Sequence, residues 1–172
     1  MGKLVQVATN TVTSAVASVT LTGIDSDDVY MVAYNNVKPE NDVRSISVRV
    51  TESGTPNTTA NYDYAYKAII STGTFGNGAF TNSTSWQYIA GDSLGIGASE
   101  STNGIIYCYN FNNASEFSFI TVEMTEVNYE AIHRGNQGGG IFTSESVCNG
   151  LQFRDLAGGN IASGTFTLYK VL

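Results

Sequence analysis

Alternation of apolar and polar residues with a period of two is the sequence feature that most constrains the fold. In the segment from Val43 to Thr51, the apolar residues Ile46, Val48 and Val50 alternate with polar ones. Successive side chains of a β-strand point to opposite faces, so this pattern predicts a strand with one buried face. The same period recurs between clusters of glycine, proline, asparagine and aspartate, which is typical of strands joined by turns.

Apolar or alternating segments of this kind predict about eight to ten strands, the number typical of a sandwich or a barrel. Their residues are Thr11 to Thr22, Val29 to Val37, Val43 to Thr51, Tyr62 to Ile70, Trp86 to Ala90, Ile105 to Phe111, Phe117 to Val127, Val147 to Arg154 and Thr165 to Leu172. No segment has a convincing helical period. The sequence therefore predicts an all-β chain, an antiparallel β-sandwich.

Three glycine-containing segments are predicted to be irregular. Ser71 to Ser85 and Gly91 to Asn103 are predicted to be loops, and Arg134 to Gly140 a glycine-rich turn. Inside the strand from Phe117 to Val127 the apolar phase shifts between Phe119 and Ile120. This shift predicts a β-bulge or burial on both faces of that strand.

Length and composition indicate one domain. The chain has 172 residues, the size of a single domain, and no interior linker, composition shift or repeat divides it. We expect residues 1–172 to form one β-sandwich, with residues 1–13 as a possible N-terminal arm.

The charge content excludes some partners and favours others. Only 13% of the residues are charged and the net charge is -7, so a basic footprint for nucleic acid is not expected. No apolar run is long enough to span a membrane, and the N-terminus lacks the apolar core of a signal peptide. A weakly charged surface rich in threonine, serine and asparagine suits contact with other proteins, because few charges must be desolvated.

The residues that could carry chemistry do not form a recognisable constellation. His133 is the single histidine and no serine lies in a nucleophile motif, so we expect no enzymatic activity. Asp25, Asp27 and Asp28 lack the closing glutamate of a calcium loop, and no zinc or dinucleotide motif is present, so we expect no metal or cofactor.

The two cysteines can be interpreted as a pair or as free thiols, and two glutamates of one predicted strand are not expected to form a catalytic pair. Cys108 and Cys148 lie on different apolar stretches and could pair, although free thiols packed as small hydrophobic groups are favoured. Glu123 and Glu126 fall on opposite faces of one strand, so they are not expected to act together as acid and base.

A stripe of tyrosines is the candidate contact surface. Tyr62, Tyr64 and Tyr66 share one face of a predicted strand, and Trp86 and Tyr88 are candidates to line the same surface. Such rings offer apolar area with a polar handle, which suits a sugar or a protein subunit. The alternative is a sheet face whose tyrosine hydroxyls lie at the rim of the core.

At the two ends of the chain, the runs GNIASGTFTLY (159–169), Gly23-Ile24-Asp25 and Tyr30-Met31-Val32 resemble phage virion structural proteins of the jelly-roll type, including proteins like those of marine phages. At the C-terminus the run from Gly159 to Tyr169, GNIASGTFTLY, is similar to the "G-x-I-x-S-G-T-x-x-L-Y" run that closes such proteins. Near the N-terminus Gly23-Ile24-Asp25, then Tyr30-Met31-Val32 and Asn35 to Pro39, are similar to their opening pattern. The sequence departs from the family at Lys170, where glycine is usual.

The resemblance implies a jelly-roll-like β-sandwich on a phage particle, often a homotrimer, and its motif residues form the fold rather than a site. Because the chain lacks a long fibre stalk, the better expectation is a capsid decoration (cement) protein that binds the major capsid protein and stabilises the head. The alternative is a tail-fibre or tail-tip subunit that binds a host receptor or glycan. In either case we expect synthesis in the host cytoplasm and a place on the surface of the virion.

Overall fold

The computed structural model describes residues 2–172, and these form twelve β-strands. The strands are β1 (Leu4–Val12), β2 (Ser18–Thr22), β3 (Tyr30–Pro39), β4 (Ile46–Glu52), β5 (Thr55–Pro56), β6 (Tyr62–Ile70), β7 (Phe75–Ser83), β8 (Thr102–Tyr109), β9 (Ser118–Val127), β10 (His133–Phe142), β11 (Gly150–Asp155) and β12 (Ile161–Val171). The predicted all-β class is confirmed. Across the described residues, no helix is long and apolar enough to cross a bilayer.

The strands form two sheets whose order is that of a jelly roll. The large sheet has the order β1-β12-β3-β8-β9-β10-β6-β7, and the small sheet has the order β2-β11-β4-β5. Eight of these strands pair antiparallel in a nested way: β1 with β12, β2 with β11, β3 with β8, and β4 with β5. First-with-last nesting of eight strands across two sheets gives the jelly roll, so the predicted jelly-roll-like sandwich is confirmed.

Four further strands extend the large sheet beyond the jelly roll. The pairs β6–β7 and β9–β10 are hairpins, and they add to the free edge of β8 in the order β9, β10, β6, β7. We call these four strands the extension. Because the small sheet gains no strand, the large sheet has twice as many strands as its partner.

The main core lies between the two sheets and is apolar. Phe153 of β11 faces Tyr34 of β3 and Phe166 of β12, with ring centroids 5.8 and 4.9 Å apart. Val48 and Leu151 of the small sheet are buried in the same layer. Alternation explains this layer, because Ile46, Val48 and Val50 have no exposed surface.

Two glycine-containing segments that the sequence predicts as irregular are strands. The predicted loop Ser71 to Ser85 contains β7, and the predicted turn Arg134 to Gly140 lies inside β10. Both predictions were wrong, because ladder pairing on neighbouring strands outweighs the weak strand propensity of glycine and asparagine. The observed number of strands therefore exceeds the predicted eight to ten.

Two local predictions on other segments were also wrong. Trp86 to Ala90 is not a strand: Trp86 makes an isolated bridge to Val48, and Tyr88 has a φ of 63°. In β9 the pairing with both neighbours runs without a register shift, so no bulge separates Phe119 from Ile120. Phe119 is an exposed aromatic residue, and the inward-facing residues of β9 keep the period of two along the strand.

Both chain ends lie in the large sheet. Residues 4–12 of the expected N-terminal arm form β1, which pairs along β12, and the Lys3 N–H donates to the carbonyl oxygen of Leu172 at 2.8 Å. Lys170, the departure from the resembled pattern, reaches the acidic turn before β3. Its Nζ lies 2.7 Å from Asp28 Oδ2 and 2.8 Å from Ser26 Oγ. The hydrogen bond from Lys170 lowers the pKa of the Asp28 carboxyl.

Candidate interaction surface

Five adjacent strands, β8, β9, β10, β6 and β7, present one broad face to solvent. Their registers place the odd-numbered residues on this face, opposite the side that packs toward the small sheet and the loop described below. We call this face the outer face. One row across it reads Tyr107, Thr121, Gly139, Ala65 and Ala79.

The outer face carries few charges and several exposed apolar side chains. In the described strands its charged residues are Asp63, Lys67 and Glu123, and the Glu123 carboxylate accepts a hydrogen bond from Gln137 at 3.1 Å. Phe119 is 41% exposed. Removing water from a face of this composition costs little free energy, which is typical of a protein-binding surface.

An open trough crosses the extension part of the outer face. It has a volume of about 640 Å³. Small residues, Ala65, Ala79 and Gly139, form its floor, while Phe119 and Ile141 stand at one side. Small residues beside large ones produce a recess, so the trough can receive an apolar side chain from a partner.

A second recess on the outer face has a different chemical character. Tyr107 and Tyr109 are stacked with centroids 6.5 Å apart and an interplanar angle of 27°. The recess beside them has a volume of about 460 Å³, and its lining includes Thr121, Glu123 and Gln137. Aromatic rings next to hydroxyl, carboxylate and amide groups can stack on a sugar and bond its hydroxyls.

The predicted tyrosine stripe lies on the opposite, inner face, and most of it is buried. Tyr62 and Trp86 have no exposed surface, and Tyr64 is 4% exposed. Tyr66 and Tyr88 are partly exposed. The structure therefore brings the five residues to one side of the sheet but uses three of them as core, so a contact role for Tyr66 and Tyr88 stays a prediction.

The buried members of the stripe hold the extension to the small sheet. Trp86 packs edge-on against Tyr62, with centroids 5.1 Å apart, and its Nε1–H donates to the carbonyl oxygen of Ile141 at 3.3 Å. The Trp86 and Val48 backbones exchange two hydrogen bonds of 2.9 Å. The Tyr62 hydroxyl donates to the carbonyl oxygen of Asn57 at 2.8 Å.

Beyond Trp86, the loop of residues 84–101 covers a buried polar cluster on the inner face of the extension. Glu126 of β9 is 2% exposed, and its Oε2 accepts from the Asp92 N–H at 2.9 Å. Arg134 of β10 donates to the Asp92 carboxylate, and its Nη1 lies 3.7 Å from Glu126 Oε1. Asp92 also accepts hydrogen bonds of 3.1 Å from Ser45 and Ser93. The cluster thus fastens the loop to two strands.

Burial raises the pKa of Glu126 to about 8, and the hydrogen bond from the Asp92 N–H and the charge of Arg134 only partly oppose this shift. The guanidinium is directed to Asp92, so Glu126 Oε1 is left without a hydrogen-bond partner among the described residues. A carboxyl in this position is favoured in its protonated form near neutral pH. Sequence reasoning missed this burial, although Glu126 is in phase with the inward-facing residues Val122 and Met124 of β9.

The remaining candidate residues are accounted for structurally. Cys108 and Cys148 are buried free thiols, and burial raises the pKa of Cys108. His133 Nε2 lies 2.9 Å from Thr125 Oγ1 at the exposed end of β10. Glu123 is exposed and Glu126 buried, as expected for opposite faces. Within residues 2–172, no three histidine, cysteine, aspartate or glutamate side chains are grouped to hold a metal ion.

No protein family matches the sequence, and a search of curated proteins finds no match. Solved structures with a distant likeness include the Gt strain of infectious bursal disease virus, the VP2 subviral particle of that virus and its T13 viral particle. Their sequence identities are 8%, 9% and 10%, and their TM-scores are 0.12, 0.13 and 0.13. The alignments cover all of this chain but 42%, 42% and 39% of those chains, and at these TM-scores the likeness supports no inference.

Proposed function

We propose that the chain is a virion structural protein, and more specifically a capsid decoration protein that binds the major capsid protein of a bacteriophage head. The observation that carries this proposal is the outer face, which is broad, low in charge and lined by exposed aromatic and small residues. The jelly roll beneath it is the fold that the resemblance to phage virion proteins implies.

The proposed mechanism is burial of the outer face against capsid subunits. Phe119 and the trough beside it would supply the apolar centre of the contact, and the few charges would remain at its rim. Many copies on one head would then brace the shell through repeated modest contacts. The homotrimer that the resemblance implies belongs to this proposal.

Co-sedimentation with phage heads assembled without this protein tests the proposal. We expect saturable binding at a fixed ratio to the major capsid protein. Phe119→Lys places a charge at the wall of the trough and should weaken binding by about tenfold or more. Ile96→Lys is the matched control, because Ile96 is an exposed apolar residue on the loop, and it should bind as the wild type does. Absence of binding to heads would contradict the decoration proposal.

A tail-fibre or tail-tip subunit that binds a host glycan is the second candidate. The observation that favours it is the stacked pair Tyr107–Tyr109 beside Thr121, Glu123 and Gln137, rather than the buried tyrosine stripe. This candidate predicts binding on a glycan array that Tyr107→Ala abolishes and that Phe119→Lys leaves unchanged. A chain that binds heads and no glycan would exclude it.

A further inference from the structure

The sheet ends of this molecule differ in how they are protected against pairing with another chain. An end strand exposes a row of unpaired backbone groups, and proteins commonly blunt it with short length, proline, charge or a bulge. The end strand β5 of the small sheet has two residues, one of them Pro56. At one end of the large sheet, the pairing of β1 is interrupted by a register shift between Gln6 and Ala8.

The opposite end strand of the large sheet, β7, has none of these devices along most of its length. Its nine residues, FGNGAFTNS, include no charge and no proline. From Phe75 to Phe80 it pairs with β6 residue by residue, and the register shift comes only after that stretch. Among the described residues, no backbone hydrogen bond fills the outer edge of this stretch. Phe75 is 67% exposed.

We infer that β7 is a self-association edge, which pairs antiparallel with β7 of a second copy of this chain. An identical strand fits because β7 carries no charge, so two copies can lie side by side without like charges facing each other across the contact. The contact is isologous, with a two-fold axis normal to the sheet, so the outer faces of both copies lie on the same side.

The glycines of β7 select the register of this contact. A Cβ on Gly78 would lie 2.4 Å from the Tyr66 ring, so the inner side of Gly78 is already filled. A Cβ on Gly76 would meet nothing nearer than Ala68 Cβ at 3.4 Å, an ordinary contact, so the inner side of Gly76 is not filled in the same way. The Phe80 ring stacks on Tyr64 of its own chain at 4.9 Å and is 37% exposed, and its free side lies beside Gly76 of the other copy if Gly78 of each copy lies opposite Gly78 of the other. Asn77 of one copy then lies opposite Ala79 of the other, on the outer face.

This contact joins the large sheets of two copies into one sheet and doubles the continuous outer face. It uses backbone groups of β7 and leaves β1, β12 and the small sheet free for any other contact. The inference does not rest on the proposed function, because it concerns the isolated chain in solution.

Sedimentation velocity on the purified chain tests the inference, at concentrations from about 1 to 100 µM, where micromolar self-association is populated. We expect a reversible monomer–dimer equilibrium. Asn77→Lys puts two lysines on diagonal positions across the contact and should raise the dimer Kd by about tenfold or more. Asn10→Lys, the same substitution at an exposed position of the other end strand, should leave the Kd unchanged. A chain that remains monomeric, or a self-association that Asn77→Lys leaves intact, would overturn the inference.

Disulfide trapping tests the register and distinguishes this contact from any other. An equimolar mixture of Asn77→Cys and Ala79→Cys should form a mixed disulfide under mild oxidation, and neither variant alone should form its own dimer. The natural cysteines are buried and should not interfere. Cross-linking of either variant with itself would contradict the register that places Gly78 at the two-fold axis. Absence of the mixed disulfide in the mixture would contradict it as well.

Discussion

The inner face of the large sheet is covered in two different ways along its length. In the jelly-roll half, the small sheet covers it, and the layer between the sheets is made of apolar side chains such as Phe153, Phe166 and Val48. In the extension half, the loop of residues 84–101 covers it, and the layer beneath contains Glu126 and Arg134. One sheet thus combines a sandwich core with a core closed by a polar network.

The difference shows why the inner face of the extension is closed by specific hydrogen bonds, whereas that of the jelly roll is closed by packing of apolar side chains. A second sheet satisfies its own backbone hydrogen bonds and presents a uniform apolar face. A loop leaves backbone groups to be satisfied: Glu126 accepts from the Asp92 N–H, and Asn136 donates to the Tyr88 carbonyl oxygen. Trp86 lies at the boundary, with backbone bonds to the small sheet and a side-chain bond to β10.

Phe153→Ala should have the largest effect, because it removes a fully buried ring from the layer between the two sheets. We expect a loss of about 3–5 kcal/mol in the free energy of unfolding, measured by urea denaturation. Phe75→Ala is the matched control in the extension: the ring is 67% exposed, so the change should be within about 0.5 kcal/mol. Similar losses for both variants would show that the sandwich core is not the main source of stability.

Gly140→Ala should have a smaller effect, confined to the boundary between the two halves. A Cβ at this position would lie 2.5 Å from Trp86 Nε1, and the buried indole has little room to move. We expect a loss of about 1–3 kcal/mol by urea denaturation, together with a change in the Trp86 fluorescence.

Gly135→Ala on the same strand separates this clash from a general effect of changing glycine. Its Cβ would meet nothing nearer than the Met124 carbonyl oxygen at 3.5 Å, an ordinary contact. The stability of this variant should stay within about 0.5 kcal/mol of the wild type. Equal losses of stability in Gly140→Ala and Gly135→Ala would show that the contact with Trp86 does not cause the loss.

The same division explains which parts of the fold the sequence predicts. In the jelly-roll half, strands with one apolar and one polar face show the period of two directly, as Ile46, Val48 and Val50 do. In the extension, β10 reads as a turn because its glycines outnumber its apolar residues. Two of those glycines have a packing reason that only the tertiary structure reveals: a Cβ on Gly138 would lie 2.4 Å from the Ala65 carbonyl oxygen, and one on Gly140 would lie 2.5 Å from Trp86 Nε1.

The predicted tyrosine stripe lies on the inner face of the sheet, whereas the exposed aromatic residue Phe119 lies on the outer face. The alternation correctly puts Tyr62, Tyr64 and Tyr66 on one face, yet a period of two cannot tell which face is inside when both carry aromatic or small residues. Tyr107 and Phe119 were assigned to apolar strands without a face. Their exposure depends on the absence of a third layer over β8 and β9, which no local pattern encodes.

Near pH 5, where the buried carboxyl is neutral as the amide is, Glu126→Gln should have the smallest effect of these substitutions, and it probes the polar half of the inner face. In the unfolded chain a glutamate has a pKa near 4.5, whereas burial raises the folded value to about 8. Between these values the folded state binds more protons than the unfolded state, so stability should fall as the pH rises. The contribution of this residue to that fall is at most about 1.4 kcal/mol per pH unit, and the neutral glutamine should remove it.

Urea denaturation at a series of pH values from about 5 to 9 measures this slope. Glu123→Gln is the matched control, because Glu123 lies on the exposed side of the same strand and should leave the slope unchanged. If Glu126→Gln keeps the wild-type slope, then Arg134 holds Glu126 ionised and the cluster acts as a charged network. If the slope flattens, the extension is closed over a neutral carboxyl, and the loop of residues 84–101 should become easier to open as the pH rises. Amide hydrogen exchange at Asp92, whose N–H donates to Glu126, would then accelerate with pH beyond its intrinsic dependence in the wild type and not in the glutamine variant.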